Sequence, residues 1–101
     1  MSWFVYLLRC SDNSLYCGIT TDLDRRLEAH SAGAAARYTR SRLPVHLVWF
    51  SEKPNKSEAL KEEYRIKRLQ KDEKELLVAS QQGGENSRLR IEQKAAGKIT
   101  T

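Results

Sequence analysis

Runs of apolar residues predict most of the secondary structure of this chain. Residues 3–9 are almost all apolar, rich in β-forming types and too few for a stable helix, which predicts a strand covered on both faces. A polar turn at 11–14 precedes a second strand from Leu15 to Thr20, so the two strands are predicted to pair as an antiparallel hairpin. Gly18 interrupts the second strand, which indicates a bulge or a close approach to the backbone.

After the hairpin, the spacing of the apolar residues changes to that of a helix. Thr21 and Asp24 form a capping-box pattern, so a first helix is predicted from about Asp22 to Ser31. The remaining pattern predicts a strand at Val45–Phe50, a helix capped by Asn55 that reaches about Gln70, and a short helix at Asp72–Ala79.

The order of these elements, β-β-α-β-α-α, predicts an α/β fold of the α+β kind. In it, helices flank a small three-stranded antiparallel sheet. We expect residues 1–79 to form this domain. From Ser80 the sequence becomes polar and has few apolar groups to bury, so residues 80–101 are predicted to form a flexible C-terminal tail.

The length and net charge of the chain limit the classes of protein to which it can belong. Its 101 residues and formal net charge of +5 allow one small domain with surplus positive charge. No apolar run is long enough to span a membrane, and the first residues lack a signal-peptide pattern, so we expect a cytoplasmic protein with no membrane association. Cys10 and Cys17 lie in apolar strand patterns without metal-binding spacing, which favours buried thiols over a disulfide or a metal site.

The first predicted helix carries two charged or titratable residues on its apolar side. Leu23 and Leu27 mark the stripe that should be buried, and Arg26 and His30 fall on or beside it, four residues apart. Arg25 points to the opposite side. A helix that only packed would not need a cation and an imidazole there, so Arg26 and His30 are candidate functional residues.

The second predicted helix contains a carboxylate on its apolar face. Glu63 lies at helical spacing from Ala59 and Ile66, and burial of an unpaired carboxylate is costly. One explanation is a local ion pair with Lys67. Glu62 could form such a pair from the polar side, which favours the other explanation, a partner elsewhere in the fold that is either a cation or a metal ion.

Three arginines and a tyrosine cluster between the first helix and the third strand. The segment is otherwise rich in alanine, threonine and serine and contains no acidic residue, which predicts a loop that faces phosphates. A loop that is merely solvated is the alternative. The candidate nucleic-acid contacts are Arg37, Tyr38, Arg40 and Arg42.

Two tyrosines of the hairpin complete a set of groups suited to phosphodiester hydrolysis. Taken singly, Tyr6 and Tyr16 would serve in packing, as tyrosines in strands commonly do. The predicted sheet, however, brings two phenols together with Arg26, His30 and Glu63. Hydrolysis requires a base for water, cations for the charge that develops on the phosphoryl oxygens, and a carboxylate for a divalent ion.

Short motifs across the predicted domain also match the pattern of a known family. They are Phe4-Val5-Tyr6, Tyr16-Cys17-Gly18, Arg26-x-x-x-His30, Ala36-Arg37-Tyr38-Thr39, Pro44-Val45-x-Leu47-Val48 and Ala59-Leu60-x-x-Glu63-x-x-Ile66-Lys67. From about Trp3 to Ala79 the chain resembles the GIY-YIG nuclease superfamily, and in particular its small standalone bacterial branch, the YhbQ-type proteins. Phe4 and Cys17 depart from the family motifs.

This resemblance implies a metal-dependent endonuclease that hydrolyses phosphodiester bonds in DNA, with Mg²⁺ or Mn²⁺ held by Glu63. It implies that Tyr6 helps to activate the attacking water and that Tyr16 assists the hydrogen-bond network. Arg26 would hold and neutralise the scissile phosphate, and His30 would accept a proton or orient Tyr6.

These motifs determine neither the preferred substrate nor the means of targeting. Larger nucleases of this superfamily carry separate DNA-binding or partner-binding domains, and this sequence indicates none beyond its polar tail. We therefore expect a monomer that binds duplex weakly. Recognition of nucleic-acid shape, binding to single strands and targeting by a protein partner are the alternatives. Structure-selective cleavage linked to DNA repair or turnover is the expected activity, and RNA is an alternative substrate. Two other functions compete: a nucleic-acid-binding module with this fold and little or no cleavage, and a protein-interaction domain whose basic loop docks an acidic partner.

Overall fold

The computed structural model describes residues 2–82, which form one sheet and four helices. The strands are β1 (Trp3–Arg9), β2 (Leu15–Thr20) and β3 (His46–Lys53). They pair antiparallel in the order β2-β1-β3, which confirms the predicted sheet and the mixed α/β class. The helices are α1 (Leu23–Ser31), α2 (Arg37–Arg40), α3 (Lys56–Lys67) and α4 (Lys71–Gln82).

The central strand β1 is covered on both faces, as its apolar run predicts. Four consecutive residues, from Val5 to Leu8, are buried. Because neighbouring residues of a strand point to opposite faces, this strand contributes to two separate cores. Its register with β2 sets Tyr6 opposite Gly18.

Side-chain caps fix the starts of two helices. The Asp22 carboxylate accepts a hydrogen bond from the backbone N–H of Arg25 at 3.1 Å, so α1 begins at Leu23 and its cap is Asp22 rather than Thr21. Asn55 caps α3 as predicted, by accepting from the Glu58 N–H at 2.9 Å.

The segment predicted as a basic loop contains the short helix α2, so the observed order is β-β-α-α-β-α-α. Its four residues are too few to show a helical period in the sequence. Thr39 is fully buried in this helix, while Arg37 and Arg40 are exposed. Tertiary packing of Thr39 therefore holds a helical turn that local sequence does not predict.

Two other elements extend beyond their predicted ends. Strand β3 continues past Phe50 to Lys53 because its polar last residues pair with the start of β1. Helix α4 continues through Ser80 to Gln82, and the Gln81 amide accepts from Phe50 N at 2.9 Å and donates to Phe50 O at 2.6 Å. The helix predicted at Asp72–Ala79 therefore ends three residues later than expected, and the rest of the predicted tail lies outside the described residues.

The sheet separates two hydrophobic cores. One core lies between the sheet and α1 and includes Leu8, Leu23 and Leu47, and we call this side the α1 face. The other core includes Leu7 and Trp49 of the sheet and residues of α3 and α4, and we call this side the α3 face. Cys10 and Cys17 are buried free thiols on opposite faces, as predicted. None of the helices among residues 2–82 is long and apolar enough to cross a membrane.

Candidate active site

A buried hydrogen bond joins the first candidate residues on the α1 face. Tyr6 extends from β1, and His30 extends from the last turn of α1. The distance between Tyr6 Oη and His30 Nε2 is 2.9 Å, and the two side chains are almost entirely inaccessible to solvent. The predicted proximity of these two residues is therefore present in the fold.

Thr39 binds the other nitrogen of the same imidazole. The distance from His30 Nδ1 to Thr39 Oγ1 is 2.8 Å, and Thr39 Oγ1 donates to the carbonyl oxygen of Ala36 at 3.2 Å. Both ring nitrogens of His30 are thus occupied inside the protein. Thr39 belongs to the Ala36-Arg37-Tyr38-Thr39 motif, but the sequence alone indicates no role for it, because its burial depends on the packing of α2 against α1.

Burial sets the protonation of this pair. It lowers the pKa of His30 to about 4, with a further contribution from the Arg26 cation, so the imidazole is neutral near pH 7. Burial also raises the pKa of Tyr6 well above its ordinary value, and the neighbouring Tyr16 adds to this effect, while Arg26 partly opposes it. A neutral phenol therefore faces a neutral imidazole.

Arg26 is the cation of this site. Its side chain is half-buried and lines a narrow pocket with Tyr6 and Leu8. Within residues 2–82 its guanidinium forms no hydrogen bond or ion pair, although its charge acts on both Tyr6 and His30. Its donors are therefore available for an anion placed beside the phenol.

Tyr16 forms the wall of the site on the side of β2. Its ring meets the His30 ring edge-on, with 5.4 Å between centroids, and stacks on the Tyr38 ring at 5.8 Å. The Arg42 guanidinium covers the other face of Tyr38 at 3.8 Å from the ring centre. This stack fixes the position of Tyr16 beside the imidazole.

Gly18 leaves the space that the Tyr6 ring occupies. A Cβ atom at position 18 would lie 2.5 Å from Tyr6 Oη and 2.7 Å from its Cζ, which no ordinary packing allows. The predicted close approach to the backbone at Gly18 is therefore confirmed, and the group that approaches is the Tyr6 phenol.

The four arginine and tyrosine residues predicted to contact nucleic acid fall into two groups. Arg37 and Arg40 are exposed and form no side-chain hydrogen bond or ion pair within the described chain. Tyr38 donates to Ser14 Oγ at 2.8 Å, and Arg42 donates from Nε to Asp12 Oδ2 at 3.0 Å. An acidic residue from the β1–β2 turn therefore neutralises Arg42, although its own segment contains none.

Glu63 lies on a helix that packs on the other side of the sheet. Helix α3 packs on the α3 face through Ala59 and Ile66, away from α1. The Glu63 carboxylate is mostly buried and lies 3.2 Å from Lys67 Nζ, which is the local pair that the sequence analysis considered the less favoured explanation. Its charge nevertheless contributes to the raised pKa of Tyr6, so the two groups interact electrostatically.

The donor set fits a divalent ion held by one protein carboxylate. No group of three or more histidine, cysteine or acidic side chains that could cage a metal occurs in residues 2–82. Mg²⁺ commonly binds through one or two carboxylates and completes its octahedron with water and substrate phosphate oxygens. Glu63, which pairs with Lys67, is the single carboxylate that the resemblance assigns to such an ion.

Comparison with known proteins identifies the class of this domain. Residues 2–76 match the sequence model of the GIY-YIG catalytic domain, which defines a superfamily of endonucleases. The chain therefore belongs to the GIY-YIG family, which confirms the predicted resemblance.

The relatives are small proteins of similar length. A UPF0213 protein of Vibrio cholerae is 55% identical over 78 residues, which are 76% of this chain and 77% of that protein. A UPF0213 protein of Oceanobacillus iheyensis is 48% identical over 79 residues, which are 78% of this chain and 92% of that protein. The solution NMR structure of the UPF0213 protein from Bacillus halodurans matches with a TM-score of 0.56 and 40% identity, covering 100% of this chain and 99% of that one.

Proposed function

We propose that this protein is a metal-dependent endonuclease that hydrolyses phosphodiester bonds in DNA. The observation that carries the proposal is the Tyr6 Oη to His30 Nε2 hydrogen bond of 2.9 Å, with the unpaired Arg26 guanidinium beside both groups. The α1 face thus combines a proton acceptor, a hydroxyl and a cation in one place. A purely structural core would have no need for these three groups together.

The proposed reaction begins with proton transfer from water. As the water oxygen forms its bond to phosphorus, its proton passes to Tyr6 Oη, and the Tyr6 proton passes to His30 Nε2. The bond from phosphorus to the leaving oxygen then breaks, and solvent protonates the leaving oxygen. Because burial holds His30 neutral near pH 7, its imidazole has one unprotonated nitrogen that can accept a proton.

Arg26 and Glu63 provide the electrostatic part of the proposal. Arg26 donates to the phosphate and stabilises the charge that develops on its non-bridging oxygens. Glu63 would hold Mg²⁺ or Mn²⁺, and such an ion when bound supplies further stabilisation of the same charge. Tyr16 keeps the imidazole in place from the side of β2.

The basic helix α2 supports the choice of nucleic acid as substrate. Arg37 and Arg40 are free to contact phosphates, whereas Tyr38 and Arg42 support the site through the Tyr16 stack. A small domain that contacts phosphates through a few arginines binds the nucleic-acid backbone, so its affinity falls with salt and shows little base preference. We therefore propose recognition of DNA structure, in repair or turnover, with a protein partner for targeting.

A nicking assay tests the proposal. Supercoiled, branched and single-stranded DNA, and one RNA, are incubated with Mg²⁺, with Mn²⁺ or with EDTA, and a binding titration is run in parallel. Glu63→Gln removes the charge with little change of volume, and Glu62→Gln is the matched control because its carboxylate is equally buried but pairs with Arg65. We expect loss of cleavage only for Glu63→Gln and for the EDTA samples.

The second candidate is a nucleic-acid-binding module that does not cleave. The exposed, unpartnered arginines of α2 favour it, since binding requires nothing more than these cations. In that case the parent protein would bind DNA without cleaving any of the substrates, and Glu63→Gln would bind at least as well as the parent. Cleavage that depends on Glu63 and a divalent ion would contradict it.

A further inference from the structure

Proton transfer to His30 requires one particular tautomer of the imidazole. A neutral imidazole carries a single proton, on either Nδ1 or Nε2, and only the nitrogen without it can accept another. The atom that faces Tyr6 is Nε2. The reaction therefore needs the neutral form that is protonated on Nδ1, which is the less stable form for a free imidazole in water.

The hydroxyl of Thr39 selects that form. Thr39 Oγ1 has one proton, and it donates it to the Ala36 carbonyl oxygen, which can only accept. A lone pair of Oγ1 is then left for His30 Nδ1 at 2.8 Å, and this requires a proton on Nδ1. The hydroxyl thus acts as an acceptor toward the histidine.

The buried phenol leads to the same assignment independently. Tyr6 Oη has one hydrogen-bond partner within residues 2–82, the Nε2 atom of His30. With the proton on Nδ1, the phenol donates to Nε2, and the Tyr6 hydroxyl, both ring nitrogens of His30 and the Thr39 hydroxyl each have a partner of the required kind. With the proton on Nε2, the phenol would become an acceptor and its own proton would have no partner in an almost fully buried position.

We propose that Thr39 is a positioning residue that fixes His30 as the Nδ1-protonated tautomer, so that Nε2 stays available to accept the Tyr6 proton. The inference rests on the proposed hydrolysis for its role in the reaction, but the tautomer itself is a property of the folded protein. Thr39 Oγ1 also remains an acceptor for Nδ1–H after Nε2 is protonated, and so stabilises the imidazolium that the transfer creates. No motion of the ring is needed between the two states.

Nitrogen NMR of the parent protein tests the tautomer without any variant or substrate. In a sample labelled with ¹⁵N in histidine and held near pH 7, we expect Nδ1 of His30 at the shift of a protonated nitrogen and Nε2 at that of an unprotonated one. The assignment would be wrong if Nε2 carried the proton. His46, the other histidine, is half-buried and serves as the internal reference.

Variants of Thr39 test its role. Thr39→Val removes the hydroxyl with little change of volume, and Thr39→Ser keeps it. We expect Thr39→Val to shift His30 toward the Nε2-protonated form and to cleave about 10-fold or more slowly, the range found when groups that orient functional histidines are lost. Thr39→Ser should restore both the parent tautomer and most of the rate.

Thr20→Val is the matched control. Thr20 is also a buried threonine whose hydroxyl bonds to backbone, at 3.1 Å from Asp22 N, but it does not contact the imidazole. It should keep the parent tautomer and cleavage rate. The positioning role of Thr39 would be wrong if Thr20→Val lost as much cleavage rate as Thr39→Val. It would also be wrong if Thr39→Val changed the tautomer of His30 but cleaved at the parent rate. If the parent cleaves no substrate, the proposed function fails, while the NMR spectrum still decides the tautomer.

Discussion

The two faces of the sheet are built from the same central strand but differ in chemistry. On the α3 face, β1 contributes Val5 and Leu7 to a core of aliphatic and aromatic side chains. On the α1 face, it contributes Tyr6, which is bonded to a buried histidine and through it to a buried threonine. The core of one face therefore consists of apolar side chains, and the core of the other also accommodates a buried polar network.

Apolar burial on the α3 face offsets the cost of the polar network on the α1 face. Buried polar groups add little net stability even when every bond is made, so they depend on apolar burial elsewhere. The α3 face provides this apolar burial, and its residue Ile66 is fully buried. Glu63 is the exception on that side, since its carboxylate interacts electrostatically with Tyr6 on the opposite face.

The largest effect is expected from loss of the cation on the α1 face. Arg26→Ala should lower cleavage by about two to three orders of magnitude, because it removes a donor directed at charge that develops in the transition state. Its free energy of unfolding should change by less than about 0.5 kcal/mol, since the guanidinium has no partner in the described chain.

Arg25→Ala is the matched control for this measurement. Arg25 is the neighbouring residue of α1, carries the same charge and is exposed, but it does not line the pocket that Arg26 forms with Tyr6. It should cleave at nearly the parent rate. Equal losses in both variants would show that the total charge of the helix matters, and not a group on the α1 face.

Removal of the Tyr6 hydroxyl tests whether Tyr6 takes part in the reaction or only packs in the core. Tyr6→Phe keeps the ring in the core but leaves His30 Nε2 without its partner, which should cost about 1 to 3 kcal/mol of stability. Cleavage should fall by about two orders of magnitude, as expected for a positioned acid or base. Tyr64→Phe, at an exposed tyrosine of α3, should change neither quantity. A parent rate for Tyr6→Phe would leave Tyr6 as a core residue only.

The pH dependence of stability should reveal the buried histidine. The pKa of His30 is about 4 in the folded protein and about 6.5 in an unfolded chain, so the unfolded chain binds more protons between these pH values. The free energy of unfolding should thus be at its full value above pH 6.5 and fall as the pH drops toward 4, by up to about 3 kcal/mol.

Urea denaturation at pH 7 and pH 4.5 measures this fall. His30→Asn should flatten the dependence in this interval, whereas His46→Asn, at a half-buried position on β3, should keep it. The lowered pKa of Glu75, about 2 as a result of hydrogen bonds from Arg9 and Lys71, acts in the same direction at lower pH and affects all variants equally. If the free energy of unfolding of His30→Asn fell as much as that of the parent, the lowered pKa of His30 would not be the cause of the fall.

The smallest effect is expected from the exposed arginines of α2. Replacing Arg37 and Arg40 by alanine should weaken DNA binding similarly for every sequence and reduce the slope of log affinity against log salt by about 1 to 2. DNA-binding titrations at several salt concentrations measure this slope. The same charge change at the end of α3, with Arg65 and the C-cap residue Arg68 replaced by alanine, should leave the slope nearly unchanged. An equal change there would show that binding depends only on net charge.

The sequence by itself determined the elements whose signals are local. The apolar run of β1, the change of period at α1 and the Asn55 cap of α3 each depend on neighbours within a few residues. The same periodicity placed Arg26 and His30 beside the core, because a helical stripe is defined by spacing alone.

Only the tertiary structure decided the contacts between distant segments. Thr39 binds His30 because α2 packs beside α1, and Arg42 meets Asp12 because the β1–β2 turn lies next to its segment. The extension of α4 to Gln82 accompanies the bonds of Gln81 to the backbone of β3. Periodicity specifies which side of an element is buried, whereas the identity of the partner depends on how the elements pack, and the hydrogen-bond network around His30 is fixed at that level.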